Sequence, residues 1–294
     1  MHKSPSLLQW FAFHAILVVV GIAAIYPVLW VVKLALTPDQ AFAAGFNPFP
    51  IAIDPETGKW MLVASLDNFI DVVSTTDSTG SWLFGRQLFN SVVVSLLTAA
   101  IGLALAVTSG YAMSRWAFPG RDNAMGFLLI TQMFPGLVML IPLYILLQQL
   151  HLLDSLMGLA LVYSTTSVPF CAWNMKGYFD TIPKDLEEAA MLDGATRWQT
   201  FWQVILPLAR PALAVTALFS FMTAWNEFIL AATLMGSERA YTLPVVLQQY
   251  VGDFGASWGH FAAGAILVSI PVMVLFFILQ RHLVEGLTAG SVKG

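Results

Sequence analysis

Long apolar segments separated by shorter polar ones dominate the chain. A helix that crosses a bilayer needs about 20 apolar residues. Six segments reach this length, and each is predicted to span a membrane: residues 8–33, 88–112, 124–147, 156–175, 208–235 and 258–279. Pro135 and Pro142 share the third segment, so we expect a bend near its middle; membrane helices tolerate such prolines because neighbouring groups satisfy the freed carbonyls.

The composition agrees with a membrane protein. Hydrophobic residues make up 58% of the 294 residues and charged residues only 10%, whereas soluble domains contain roughly 45–50% apolar and about 25% charged residues. The single cysteine, Cys171, leaves no disulfide framework within the chain. We therefore predict an all-α membrane protein with six transmembrane helices, in which residues 1–294 form a single transmembrane domain.

The distribution of lysine and arginine predicts the orientation. Six spans place both termini on one side, together with the second–third and fourth–fifth loops. That side holds nine basic residues, namely Lys3, Arg115, Arg121, Lys176, Lys184, Arg197, Arg210, Arg281 and Lys293. The other side holds four: Lys33, Lys59, Arg86 and Arg239. The positive-inside rule then places both termini and the loop of residues 177–207 in the cytoplasm.

The loop of residues 177–207 is predicted to fold as two short helices. Pro183 suits a first helical turn, and the acidic residues after it favour the positive end of the helix dipole. Gly194 can end this helix in a left-handed conformation. A second helix would then place four apolar residues on one face: Trp198, Phe201, Trp202 and Ile205. On this pattern alone, an interfacial hairpin that merely links two spans is equally favoured.

Short motifs in this loop resemble those of a known family. Glu188-Ala189-Ala190, Asp193-Gly194-Ala195 and Leu206-Pro207 have the spacing of the EAA loop of ABC importer permeases. The runs 132–135 and 176–179 and the ending 286–294 also resemble the MalG-type permease subunits of maltose/maltodextrin importers, in the carbohydrate-uptake group. The resemblance covers nearly the whole chain. It implies the type I ABC importer permease fold, with the EAA loop forming cytoplasmic coupling helices.

The resemblance also implies partners. Permeases of this kind pair with a second, MalF-like permease, with a MalK-like ATPase dimer that binds ATP and Mg, and with a sugar-binding protein outside the cell. The residues expected to couple the chain to the ATPase are Glu188, Ala189, Ala190, Asp193 and Gly194. The chain itself is expected to carry no cofactor, to contact lipid but no nucleic acid, and to reside in the bacterial inner membrane.

Two longer loops are predicted on the outer side. Residues 37–85 allow turns, a small hairpin or an irregular loop, followed by a short amphipathic helix near 65–73. Residues 236–258 carry aromatic and acidic side chains of the kind that contact sugars. The resemblance implies that this loop enters the binding protein as a scoop formed by Tyr250, Val251, Gly252, Asp253 and Phe254. It also implies that the tail, residues 285–294, is cytoplasmic and reaches the ATPase.

No catalytic or metal site is predicted. The chain lacks a phosphate-binding loop and an HExxH motif, and its five histidines have no metal-ligand spacing. Three polar residues in the spans are candidates for a pathway or gate: Gln132, Asn226 and Glu227. A charge at the bilayer centre costs roughly 2.5–3.5 kcal/mol on insertion scales, so Glu227 should face a cavity or a partner. Hydrogen bonding between helices or subunits is the alternative for these residues.

The predicted function is the transmembrane subunit of an ATP-driven, binding-protein-dependent importer of maltose or maltodextrins. One alternative is a permease for another oligosaccharide, such as trehalose. The other is a stand-alone secondary transporter, which is less favoured because six spans without an inverted repeat are few for a carrier. A membrane enzyme is not favoured, since no nucleophile or ligand cluster is found.

Overall fold

The computed structural model describes residues 7–38, 40, 47–54, 57–252 and 255–291. Its helices are α1 (Leu7–Leu36), α2 (Asp67–Ser74), α3 (Leu83–Arg115), α4 (Arg121–Thr131), α5 (Gly136–Gln149), α6 (Leu156–Thr181), α7 (Asp185–Leu192), α8 (Arg197–Thr200), α9 (Leu206–Leu208), α10 (Arg210–Trp225), α11 (Ile229–Leu234), α12 (Leu243–Gln249) and α13 (Trp258–Ser291). A π-helix, Phe201–Ile205, joins α8 to α9. The strands are β1 (Ile51–Ile53), β2 (Trp60–Leu62), β3 (Val251–Gly252) and β4 (Gly255–Ala256).

The apolar helices account for the predicted spans. Four described helices are long and apolar enough to cross a membrane: α1, α3, α6 and α13 over Trp258–Arg281. Two bent helix pairs raise the number to six if each pair is one span. The pair α4–α5 is bent by 98°, and the pair formed by Arg197–Leu208 and α10 is bent by 78°. The predicted all-α membrane fold is therefore confirmed.

Both interrupted spans have identifiable breaks. The break between α4 and α5 ends at Pro135, which has an extended backbone with ψ of 124°, so the bend predicted there is present. Pro142 stays inside α5. The fifth predicted segment, residues 208–235, is not one continuous helix, since α10 ends at Trp225 and α11 starts at Ile229.

The described residues fall into two compact units, and the assignment of residues 1–294 to a single domain stays a prediction. The first unit comprises Met1–Phe84 and Leu247–Ser269.

In the first unit, β1 and β2 form an antiparallel hairpin with Ile51 opposite Leu62, so the hairpin alternative is the one adopted. The Asn68 side chain of α2 is 2% exposed and donates to the carbonyls of Ala35, at 3.1 Å, and Thr37, at 2.7 Å. These bonds fasten α2 to the end of α1.

The second unit comprises Gly85–Val246 and Ile270–Gly294. Two buried clusters form its core. One surrounds Tyr111, Phe179 and Ile205, where α3, α6 and the π-helix meet. The other surrounds Tyr163 of α6 and Leu234 of α11. The first cluster includes Phe179, Ile182, Phe201 and Ile205 of the loop of residues 177–207 and so packs this loop against α3 and α6.

Candidate functional site

The helix α7 and its glycine end form the centre of the candidate site. The helix starts at Asp185 with Lys184 as its N-cap, so Pro183 precedes the first turn instead of lying in it as predicted. The acidic residues Asp185, Glu187 and Glu188 do lie in the first turn, as the sequence predicts. It ends where Gly194 adopts φ of +91°. The amide of Ala195 then bonds to the Ala190 carbonyl at 3.0 Å. A bond of this span over a left-handed residue closes the helix in the Schellman manner.

One side of α7 is open to its surroundings. Four of the five predicted coupling residues are exposed, namely Glu188, Ala189, Asp193 and Gly194, while Ala190 is half-buried. Leu192 beside them is 89% exposed. This surface combines small residues, two carboxylates and an apolar side chain. A partner surface can therefore approach the helix backbone closely.

The opposite side of α7 is fixed by Arg115, the last residue of α3. The Arg115 guanidinium forms an ion pair with Glu187, and both side chains are largely buried, at 6% and 13% exposure. The same guanidinium donates to the carbonyls of Phe179, at 2.9 Å, and Ile182, at 3.0 Å, and to the Ser114 hydroxyl at 2.9 Å. These carbonyls belong to the C-terminal end of α6. One side chain thus joins α3, α6 and α7.

Neighbouring side chains support this arginine. The Tyr111 hydroxyl donates to the second carboxylate oxygen of Glu187 at 3.1 Å. Ser114 donates to Asp180 at 2.7 Å, and Asp180 pairs with Lys176 at 2.6 Å. A pocket of about 210 Å³ opens beside this cluster and has mixed charge; its lining includes Arg115, Lys184, Glu187, Glu188 and Arg197.

The second helix of the loop is anchored by a local cap and by aromatic packing. Thr196 and Gln199 form a reciprocal capping box at the start of α8. Phe201 is buried, with its ring centroid 4.6 Å from that of Tyr111. Ile205 is also buried, whereas Trp198 and Trp202 are exposed. The three aromatic residues lie together, as the prediction of a shared face requires: the Trp198 ring centroid is 6.0 Å from that of Phe201 and 5.5 Å from that of Trp202. This face is only partly buried.

The break in the fifth predicted segment contains two candidate pathway residues. The Glu227 carboxylate accepts from the amide of Leu230, at 3.0 and 3.1 Å, and from that of Ala231, at 3.2 Å. It therefore caps the start of α11. Asn226 is exposed, and its amide nitrogen donates to the Met222 carbonyl at 3.0 Å. A pocket of about 610 Å³ lies at the break, with Asn226 and Glu227 in its lining.

The third candidate pathway residue lies at the other break. Gln132 follows α4 and is exposed. Its backbone amide bonds to the Leu129 carbonyl at 3.0 Å. Both helix breaks therefore leave an amide side chain exposed.

The predicted scoop is described in part. Val251 and Gly252 form β3, which pairs with β4, and Tyr250 is half-buried beside His260, with ring centroids 5.7 Å apart. Burial raises the pKa of Tyr250, and the nearby Asp71 carboxylate acts in the same direction. Asp253 and Phe254 lie outside the described residues. Of the tail, the backbone is described to Ser291 and is helical, while the side chains of residues 285–294 lie outside the description.

The sequence did not predict the residues that bond α7 to α3, namely Arg115, Tyr111 and Glu187. From the sequence, Arg115 indicated only the orientation of the chain, Glu187 was assigned only to the helix dipole of α7, and Tyr111 had no role. Arg115 and Glu187 form an ion pair although they are 72 residues apart in the sequence. A basic residue at the end of an apolar segment was the only local signal, and such a residue normally indicates orientation.

The chain is similar to known transport proteins. Residues 100–288 match the family described as binding-protein-dependent transport system inner membrane component. The maltodextrin transport system permease protein MalD of Streptococcus pneumoniae is 36% identical over 279 residues, covering 95% of this chain and 93% of MalD. The trehalose transport system permease protein SugB of Mycobacterium tuberculosis is 36% identical over 273 residues, covering 92% of this chain and 93% of SugB.

A solved structure shows the same fold. It belongs to a bacterial ABC transporter involved in the import of the acidic polysaccharide alginate, with a TM-score of 0.73 and 22% identity, and the match covers 96% of this chain and 99% of that chain. This likeness confirms the predicted type I ABC importer permease fold. The family match and the two relatives establish more than fold: this chain belongs to the binding-protein-dependent transport system inner membrane components, the permeases of ABC importers.

Proposed function

We propose that this chain is the transmembrane subunit of an ATP-driven importer that receives an oligosaccharide of the maltodextrin class from a binding protein. Permeases of this family work with a second permease, an ATPase and a substrate-binding protein. For this chain, we infer partners of the MalF and MalK kinds and an inner-membrane location with both termini in the cytoplasm. ATP is bound and hydrolysed by the ATPase, and this chain forms part of the route by which the sugar crosses the membrane.

The observation that carries this proposal is the two-sided construction of α7. Its exposed side presents Glu188, Ala189, Asp193 and Gly194, which suits docking in a cleft of another protein. Its other side is bonded to α3 and α6 through Arg115. A displacement of α7 by a docked ATPase therefore acts on membrane helices. An interfacial hairpin that only links two spans needs no such anchorage.

The pathway residues and the outer loop complete the proposal. We assign Asn226, with its exposed amide beside the 610 Å³ pocket, and Gln132 to the sugar path or its gate. Glu227 shapes the same place by capping α11. Residues 250–254 are proposed to contact the sugar-loaded binding protein, and residues 285–294 to contact the ATPase.

The substrate class rests on the relatives. One relative is described as a permease for maltodextrin and another as a permease for trehalose, and the two are equally identical to this chain, at 36%. Both sugars are α-glucosides. Maltodextrin is proposed because the motifs at 132–135, 176–179 and 286–294 resemble the maltose/maltodextrin branch.

Reconstitution tests this function. The chain is expressed with its cognate second permease, ATPase and binding protein in vesicles, and ATP hydrolysis is measured with maltotriose-loaded and with empty binding protein. We expect stimulation by the loaded protein that disappears when this chain is omitted. Stimulation by trehalose alone would change the substrate and keep the mechanism. Uptake by this chain alone without ATP would overturn the proposal in favour of a secondary transporter.

A pair of glycines tests the docking surface. Gly194 has φ of +91° and Gly120, in another loop, has φ of +88°. In the described part of the chain, an added Cβ at either position would meet nothing within 4 Å. Gly194→Trp and Gly120→Trp therefore impose similar backbone strain. We expect only Gly194→Trp to abolish ATPase association, and normal association of Gly194→Trp would contradict docking at α7.

A further inference from the structure

Arg115 connects α7 to a span that is distant in sequence. Along the chain, α7 follows α6 and precedes α8, so these helices move with it through covalent connections. The second predicted span, α3, has no such connection to α7. The Arg115–Glu187 ion pair and the Tyr111–Glu187 hydrogen bond, 3.1 Å long, supply it through side chains.

We propose that Arg115 and Glu187 are positioning residues that make α3 follow the movement of α7 when the ATPase closes. This inference rests on the function proposed above. The new element is that closure of the ATPase moves the second predicted span, α3, directly through one ion pair. The spans that flank the loop move through their covalent connections.

The chemistry of the pair suits a mechanical connection. A guanidinium is planar and holds several acceptors in fixed directions, whereas a lysine ammonium is a single flexible point of charge. Arg115 uses its fork for Glu187, for the Ser114 hydroxyl and for the carbonyls of Phe179 and Ile182. The pair is also largely shielded from water, at 6% and 13% side-chain exposure, so salt screens it little.

A second ion pair nearby provides a contrast. Lys176 and Asp180 pair at 2.6 Å, but both lie on α6 and their side chains are 25% and 40% exposed. The lysine bonds one turn along its own helix, and it is Asp180 that reaches α3, by accepting from Ser114 at 2.7 Å. The removal of the lysine charge should therefore leave the movement of α7 and α3 unchanged.

The test measures coupling rather than activity alone. Complexes with the cognate permease, ATPase and binding protein are reconstituted with Arg115→Lys, Glu187→Gln or the control Lys176→Gln. The readout is radiolabelled maltotriose transported per ATP hydrolysed. Because coupling between sites typically changes an equilibrium by 5–150-fold, we expect this ratio to fall about tenfold in the first two variants. The Lys176→Gln ratio should equal that of the wild type.

The design separates coupling from folding. A purely structural role would lower transport and hydrolysis in parallel with the amount of assembled complex and leave their ratio unchanged, which overturns the inference. Glu187→Gln keeps the side-chain volume and an oxygen acceptor, so it remains informative if Arg115→Lys does not assemble. An unchanged ratio in either assembled variant also overturns the inference. A wild-type complex without ATPase stimulation would instead contradict the proposed function.

Discussion

Two regions of the chain each contain a pair of consecutive polar residues, the loop of residues 177–207 and the helix break at residues 226–228. In both regions one residue of the pair is bonded within the fold and its neighbour is exposed, but the bonds of the first residue reach different distances along the chain. In the loop, Glu187 is bonded within the fold and Glu188 is exposed. At the break, Glu227 is bonded within the fold and Asn226 is exposed. In each pair, one residue holds the structure and its neighbour is left for other contacts.

The two regions differ in how far their structural bonds reach. Glu227 accepts from amides three and four residues ahead and stabilises the start of one short helix. Glu187 bonds to side chains 72 and 76 residues away and joins different helices. Loss of a local cap affects one helix end, whereas loss of a buried ion pair leaves a charge behind in the core. Stability should therefore respond more strongly to changes in the loop than at the break.

The largest expected effect is that of Glu187→Ala. Removal of one partner of a buried ion pair costs about 3 kcal/mol, because the other charge stays buried. Thermal unfolding of the purified complex should show a clear fall in midpoint. The control is Lys176→Ala, which removes one partner of the more exposed pair on α6. Equal midpoints for the two variants would contradict the distinction between a long-range bond and a local one.

The neighbouring change Glu188→Ala should act on function and leave stability unchanged. Its side chain is exposed in the isolated chain, so truncation costs the fold little. We expect ATPase association to weaken about tenfold, or about 1.4 kcal/mol, with an unchanged unfolding midpoint. The measurement is the retention of ATPase on the tagged permease across a concentration series. Wild-type retention would show that the docking surface lies elsewhere.

At the helix break, Glu227→Ala should destabilise the chain by about 1 kcal/mol, as expected for the loss of a helix cap. Glu227→Gln is the matched control, since its amide oxygen can still accept from Leu230 and Ala231. The unfolding midpoint should fall for alanine and stay close to wild type for glutamine. If glutamine destabilises as much as alanine, the charge matters rather than the cap.

The sequence could predict the features that depend on local pattern. Apolar runs gave the six predicted segments, and Pro183, Gly194 and the acidic residues between them gave α7 and its end. These predictions succeed because helix length, caps and left-handed glycines are properties of a few consecutive residues. The exposed coupling candidates followed from a motif that is equally local.

The remaining features depend on contacts between distant residues. Nothing near Arg115 indicates that it bonds to Glu187, since α4, α5 and α6 lie between them along the chain. Phe201 is buried because it packs against Tyr111 of α3, with ring centroids 4.6 Å apart, and the spacing of apolar residues along the loop does not predict this contact. The cap formed by Glu227 is local, but the prediction of one apolar span across residues 208–235 concealed it.

The smallest expected effect on stability is that of Asn226→Ala, below about 0.5 kcal/mol, because an exposed residue away from the core contributes little. Its one bond to the Met222 carbonyl is local, as is the cap of Glu227 beside it. Any loss of function in this variant therefore reports on a contact made outside the chain. If Asn226 lines the sugar path, maltotriose transport should fall severalfold while the two permeases remain associated. If it bonds to the second permease instead, association measured by co-purification should weaken first, and transport should fall only in proportion to the complex that is lost.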